Sequence, residues 1–242
     1  MKNIIGRKPA LEAIKSGEAV TKIYLLHGQK GEIIDEIKRA AAKKDIPISE
    51  IPADRFAKYT NQQNSQGVVA FLSEQKNYQI DEIIDAAKKS RYPLILALDT
   101  IQDTHNLGAI LRTAECCGVD GIILTRHNSA PINETVYKTS AGAVNHLKIC
   151  TVNNLSQALD QLKREEFWII GSSLQDSKEY AKVDYKMPVV LVLGNEEKGI
   201  RRLTAEKCDI LVRIPMKGEI QSLNVSVAAG ILMFETLRQR GS

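Results

Sequence analysis

Apolar residues along this chain fall into short runs separated by polar stretches, and their spacing predicts its elements. Residues 22–26 form a β-rich run, while 32–44 place Ile33, Ile34, Ile37, Ala40 and Ala41 at helical spacing. Residues 46–51 read as a short strand, 52–59 as a short helix and 67–72 as a buried strand, so an α/β unit fills residues 1–73. The next stretch changes character: 74–79 is polar and 80–89 is a short amphipathic helix, which marks 74–90 as the expected linker. From Tyr92 onward, apolar runs of strand length recur at 94–98, 121–124, 167–170, 189–193 and 210–212, with helical spacing at 107–117, 155–165 and 225–240. Runs apolar on both faces with helices between them predict a parallel sheet covered on both sides over residues 91–242.

Composition narrows the setting. At 242 residues and 43% hydrophobic the chain can bury a real core. It holds no apolar run long enough to span a membrane, and residues 1–6 lack the apolar core of a signal peptide, so a cytoplasmic protein without membrane attachment is expected. The four cysteines, Cys116, Cys117, Cys150 and Cys208, show neither a CxxC pair nor zinc spacing, and they read as reduced thiols with no metal. The net charge of +4 is unevenly placed. Residues 1–73 carry 12 Lys and Arg against 8 Asp and Glu, and the remainder balances at 21 against 21. A basic amino-terminal module suits a phosphate backbone, and equally an ordinary solvated surface.

In a parallel sheet, ligands bind beyond the carboxyl ends of the strands. After the run 94–98 comes a polar loop opening a helix that carries Asn106, Gly108 and Arg112. Arg112 falls among Leu, Ile and Ala, where a guanidinium facing the buried side needs an anion or an acceptor, either a phosphate or a structural carboxylate. After 189–193 come Gly194, Asn195, Glu196 and Gly199; Ile200-Arg201 stands where a phosphate loop needs Lys-Ser/Thr, and the chain has no GxGxxG, so neither common nucleotide motif is present. After 210–213 come Ile214, Pro215, Met216 and then Ser222-Leu223-Asn224-Val225-Ser226, in which Ser222 or Asn224 can cap the following helix.

Taken in order, these three segments resemble the SpoU (TrmH-type) branch of the SPOUT methyltransferases: Asn106-Leu107-Gly108 with Arg112, Gly194-Asn195-Glu196 with Gly199, and Ile214-Pro215-Met216 with 222–226. The opening 5–13 and the stretch 66–70 resemble the two ends of a substrate-binding domain found in one subgroup, which methylates a guanosine ribose in large-subunit ribosomal RNA. The resemblance implies a small amino-terminal α/β RNA-binding domain, a carboxyl-terminal parallel-sheet SPOUT domain with a deep trefoil knot, and a homodimer with the site near its interface. It implies S-adenosyl-L-methionine as cofactor, held at Gly194, Ile214, Met216 and Leu223, with Ser172 and, less directly, Ser173 near it. It assigns Asn106, Arg112, Glu196, Ser222 and Asn224 to catalysis.

A guanidinium is almost never deprotonated, so a grip on the RNA phosphate explains Arg112 better than a role as general base, and the ribose proton is left to phosphate, water or Glu196. RNA contact is expected at Arg7 and Lys8, with Lys43, Lys44, Arg55 and Lys58 as further candidates. His105, Asn145 and His146 receive no role. The substrate expected is 23S ribosomal RNA; the same chemistry on tRNA, or an assembly protein that kept the fold without catalysis, are the alternatives.

Overall fold

The computed structural model describes residues 3–16, 18, 20–60, 65–72, 77–195, 197–219 and 222–241. The chain divides into two units, Met1–Gln75 and Lys76–Ser242.

In the first unit the order is β1 (Asn3–Ile5), α1 (Arg7–Ser16), β2 (Val20–Leu26), α2 (Glu32–Ala42), β3 (Ile48–Ile51), α3 (Ala53–Phe56) and β4 (Val68–Leu72). The sheet runs β1-β4-β2-β3, with β4 antiparallel to β1 and β2, and β2 parallel to β3. Alternation along β2 sends Ile23 and Leu25 to one face, where Ala10, Leu11 and Ile14 of α1 and Ile34, Ile37 and Ala41 of α2 cover them together with Val68 and Ala70. Tyr24 goes to the other face, where its ring lies 5.0 Å from Phe71 and 5.1 Å from Tyr59, with the Lys22 ammonium 4.6 Å from the Phe71 centroid.

The second unit contains α4 (Ile80–Ala87), β5 (Leu94–Asp99), α5 (Thr104–Cys116), β6 (Gly121–Thr125), α6 (Glu134–Thr139), β7 (Ile149–Val152), α7 (Leu155–Arg164), β8 (Trp168–Ser172), β9 (Lys178–Glu179), β10 (Val189–Gly194), α8 (Arg202–Ala205), β11 (Ile210–Arg213) and α9 (Val225–Arg240). Its sheet is ordered β7-β6-β5-β10-β8-β11-β9 and every pairing is parallel. Strand β5, Leu-Ile-Leu-Ala-Leu-Asp, is buried throughout. Leu94, Leu96 and Leu98 face α5 and α9, packing near Leu107, Ile110, Leu111, Leu232 and Met233, while Ile95 and Ala97 face the opposite layer of Ile83, Ile84, Leu155, Leu159 and Leu162 from α4 and α7. The segment 77–87, expected within a linker, lies on this sheet instead: Tyr78 N–H donates to Ile149 O at 2.9 Å, and Ile83, Ile84 and Ala87 are buried.

The end of α9 is fastened to the amino-terminal edge of the sheet. Arg240 donates to the carbonyls of Tyr92 at 2.7 Å, Met187 at 2.9 Å, Tyr185 at 3.0 Å and Pro93 at 3.2 Å. Burial pulls its guanidinium down to about 10. At the opposite edge the carboxyl ends of β5, β10, β8 and β11 lie side by side, and the residues of interest gather there.

Candidate active site

Three adjacent strands end on residues expected at the site. Gly194 closes β10, Ser172 closes β8, and Ile214 follows the last residue of β11. The loop after Gly194 turns back sharply, with Asn195 N–H donating to Gly199 O at 3.0 Å and Gly199 N–H donating to Asn195 O at 2.9 Å. The Asn195 side-chain oxygen accepts from the N–H groups of Glu197 and Lys198 at 3.0 and 3.3 Å. This turn presses so closely on Gly194 that a Cβ there would sit 2.1 Å from Gly199 C and Ile200 N, and only glycine fits. Gly199 turns the chain at φ +67°.

Helix α5 opens on an Asp103 cap, whose carboxylate accepts from Asn106 N–H at 2.7 Å. Of the two capping candidates for α9, the cap is Asn224: its oxygen accepts from Ser226 N–H at 2.8 Å and from the Ser226 hydroxyl at 2.6 Å. The amide nitrogen of Asn224 donates to Asn106 Oδ1 at 2.9 Å, which joins two expected site residues 118 positions apart. The helices themselves pack closely, with Gly230 facing Thr113, and Gly108 lies against Thr139 of α6.

Arg112 does not face the buried side as expected; it is exposed. The buried face of α5 is Leu107, Gly108, Ile110, Leu111 and Ala114, and residue 112 lies two positions from both 110 and 114, on the far side of the helix. Among the described residues its guanidinium has no carboxylate partner, which leaves it available to an anion. Ser222 is exposed, and Glu196 lies outside the described residues. The Ser173 hydroxyl accepts from Gln175 N–H at 3.2 Å within a tight turn. In the first unit, Arg7 donates to Gln66 O at 2.9 Å and to the Gln29 side-chain oxygen, a bracing role, whereas Lys8 is exposed. Lys43, Lys44, Arg55 and Lys58 are also exposed, and Lys44 donates to Ile14 O.

Sequence reasoning passed over three residues at this edge: Asp99, Thr100 and Arg201. Asp99 is fully buried at the end of β5, and Arg201 binds it through Nε at 2.7 Å and through its own N–H at 3.0 Å. The available signal was a carboxylate ending an otherwise apolar strand. Exposed Arg126, Lys198 and Lys217, following β6, β10 and β11, add positive charge along the same edge.

Residues 93–234 match the SpoU rRNA Methylase family, and residues 3–78 match the RNA 2'-O ribose methyltransferase substrate-binding family. The chain belongs to the SpoU methylase family. A relative from Staphylococcus epidermidis, named for the TrmH family of tRNA/rRNA methyltransferases, is 37% identical over 238 residues, covering 98% of this chain and 95% of that protein. The solved AdoMet-bound rRNA methyltransferase of Sinorhizobium meliloti superposes with a TM-score of 0.64 at 26% identity, covering 99% of this chain and 88% of that one. The Aquifex aeolicus TrmH/SpoU tRNA modifying enzyme matches at 34% identity and a TM-score of 0.58, over 66% of this chain and 82% of its own. As a SpoU methylase of SPOUT fold, the protein is an S-adenosylmethionine-dependent RNA 2'-O-ribose methyltransferase of the TrmH/SpoU type.

The residues present at the strand edge of this SpoU methylase suit that cofactor. Ile214, Met216 and Leu223 are half-buried, and among the described residues their main-chain N–H and C=O groups carry no hydrogen bond. Half-buried main-chain groups beside apolar side chains offer an adenine both edge hydrogen bonds and a flat contact. The hydroxyl of half-buried Ser172 is likewise unused among the described residues. The buried thiols of the SpoU methylase add no nucleophile: burial pushes the Cys117 thiol up to about 11 and the Cys208 thiol up to about 12.

Proposed function

We propose that this SpoU methylase modifies the 2'-hydroxyl of a guanosine in 23S ribosomal RNA, acting as a homodimer in the cytoplasm. The observation that carries the ribosomal reading is the match of residues 3–78 to the substrate-binding family, joined to the full-length correspondence with the Sinorhizobium rRNA enzyme. The tRNA modifying enzyme of Aquifex corresponds to 66% of the chain, which makes tRNA the second reading. Guanosine follows from the resemblance of the amino-terminal segment to the subgroup that modifies that base. The domains are taken as 1–75 for RNA and 76–242 for methyl transfer, with the knot of the family in the second.

S-adenosylmethionine supplies an electrophilic methyl group on sulfonium. The chain would hold it through main-chain groups at Ile214, Met216 and Leu223, with the glycine turn at Gly194 and Ser172 beside it. Arg112, exposed and without a carboxylate among the described residues, would grip the RNA phosphate next to the target ribose. The Asn106–Asn224 pair fixes the start of α9 against α5 and thereby the surface on which the ribose is oriented. Ser222 stands two residues away, and Glu196 remains a candidate acceptor for the hydroxyl proton. Lys8 and Arg7 would contribute to the RNA surface of the first domain, Arg7 from its braced position.

Helix α9 supports the dimer. Val227 and Phe234 are 49% and 52% exposed, one helical face apart by two turns with half-buried Ile231 between them. An apolar stripe of this kind on a helix already packed on its other side suits a second copy of the chain.

The test is methylation of unmodified ribosomal and transfer RNA with labelled cofactor, followed by mapping of the 2'-O-methyl position. Label in large-subunit RNA at a guanosine supports the reading, and label confined to tRNA transfers it to the second. Arg112→Lys should retain part of the RNA affinity while losing most turnover, because an ammonium is a point charge without the two-pronged geometry. Normal turnover in that variant would remove Arg112 from the reaction.

A further inference from the structure

We infer that Asp99, Thr100 and Arg201 form a latch that positions the Gly194–Gly199 turn for cofactor binding. The inference rests on the assignment of that turn to the cofactor site.

Asp99 is the last residue of β5 and is 0% exposed. A buried carboxylate requires pairing, and both of its oxygens are occupied by one residue. Oδ2 accepts the Arg201 N–H at 3.0 Å, and Oδ1 accepts Arg201 Nε at 2.7 Å with Nη2 also 2.7 Å away. Arg201 stands two positions beyond Gly199, so this contact fixes the exit of the turn.

The entry is fixed by the next residue along. Asn195 Nδ2 donates to Thr100 O at 3.3 Å, a contact spanning 95 positions. Thr100 itself adopts φ +61°, the left-handed region that a β-branched residue rarely occupies. Its N–H donates to Thr125 Oγ1 at 3.1 Å and its hydroxyl to Asp99 O at 2.7 Å, which hold it there. Two consecutive residues at the end of one strand therefore grip both ends of the turn that follows its neighbour.

Stability alone gives no reason for this arrangement. Replacing a buried ion pair by apolar packing is often neutral or stabilising, and a left-handed threonine is unfavourable. What the pair and the strained residue supply is geometry: the turn is held at a set height above the strand ends where Ser172 and Ile214 also lie. None of the three residues is placed against the reacting atoms, and they are positioning residues.

The test uses the full-length protein and its Asp99→Asn, Arg201→Ala and Arg201→Lys variants. Isothermal titration calorimetry with S-adenosylmethionine and with S-adenosylhomocysteine reads cofactor affinity, filter binding of a large-subunit RNA fragment reads RNA affinity, and urea unfolding reads stability. Asp99→Asn and Arg201→Ala should each raise the cofactor Kd at least tenfold, with RNA affinity within twofold of wild type. Arg201→Lys should recover part of the loss. Arg201→Ala leaves the fully buried Asp99 carboxylate without its cation, so its urea midpoint should fall, and Arg201→Lys, which keeps a cation beside Asp99, keeps the test valid if either other variant fails to fold. A folded Arg201→Ala protein with cofactor affinity within twofold of wild type overturns the latch, as does an equal loss of cofactor and RNA affinity. Wild-type protein that binds neither compound overturns the cofactor assignment itself, before any variant is compared.

Discussion

Replacing Gly194 by alanine places one methyl group against main chain that has no freedom to rotate away. The added Cβ would lie 2.1 Å from Gly199 C and Ile200 N and 2.2 Å from Gly199 O, more than an ångström inside any real contact. Relief requires the turn to lift. Lifting it forfeits the two Asn195–Gly199 main-chain bonds and the Asn195–Thr100 bond, about 3 kcal/mol at about 1 kcal/mol each. If the turn must be closed for the cofactor to bind, that energy is charged to binding, a factor of about 150 in Kd. Calorimetric titration with S-adenosylmethionine measures it directly. Gly118→Ala is the control: φ there is +64° with no atom within 4 Å, so the change costs about 1–2 kcal/mol of stability and no affinity. A Gly194→Ala protein that binds the cofactor within threefold of wild type would falsify the premise that this turn cradles it.

Three other outcomes are expected. Arg240→Ala strips the carbonyls of Tyr92, Tyr185 and Met187 of their donor, while Pro93 O keeps Val189 N–H at 2.9 Å; the loss should be about 3 kcal/mol, or about 6–12 °C in Tm, and a calorimetric drop under 1 kcal/mol would count against the bracing role. Hydrogen bonding from Arg238 holds the Glu235 carboxyl below its ordinary value despite its burial, so the stability it contributes is complete above the ordinary value and is lost as pH falls through the depressed folded one. Glu235→Gln should therefore melt below wild type at neutral pH and converge with it in acid, once the pH has fallen through the depressed value, and a gap that persists there refutes the linkage. Phe234→Glu should turn a dimer into a monomer in analytical ultracentrifugation; an unchanged dimer removes the α9 stripe from the interface.

The central strands β5, β6 and β10 of the second unit were legible because each is buried along its whole length and reads as an unbroken apolar run: 94–98 became Leu94–Asp99, and 189–193 became Val189–Gly194, whereas the partly exposed β7 was not predicted. Helix α1 and strand β1 were not predicted as elements, and β9 is two residues at a sheet edge, too short to leave a periodic signal. Asn106 and Asn224 were found by resemblance and are joined in the structure, yet nothing local to either announces a bond across 118 positions. Arg112 was misjudged because the apolar letters around it suggested burial, whereas helical phase puts it on the opposite side from Ile110 and Ala114. The Asp99–Arg201 pair was invisible for a related reason: it depends on β10 lying beside β5, a topological fact that hydropathy does not encode.

The cysteines offer an experimental handle that follows from burial alone. Cys117 and Cys150 are buried and Cys208 half-buried, and desolvation raises all three thiols, which keeps them protonated and slow toward alkylating reagents. Cys116 is exposed. It stands four residues beyond Arg112 on the same face of α5. A maleimide fluorophore or spin label added to the native sequence would therefore report from one turn away on whether Arg112 engages a phosphate, without a single engineered substitution.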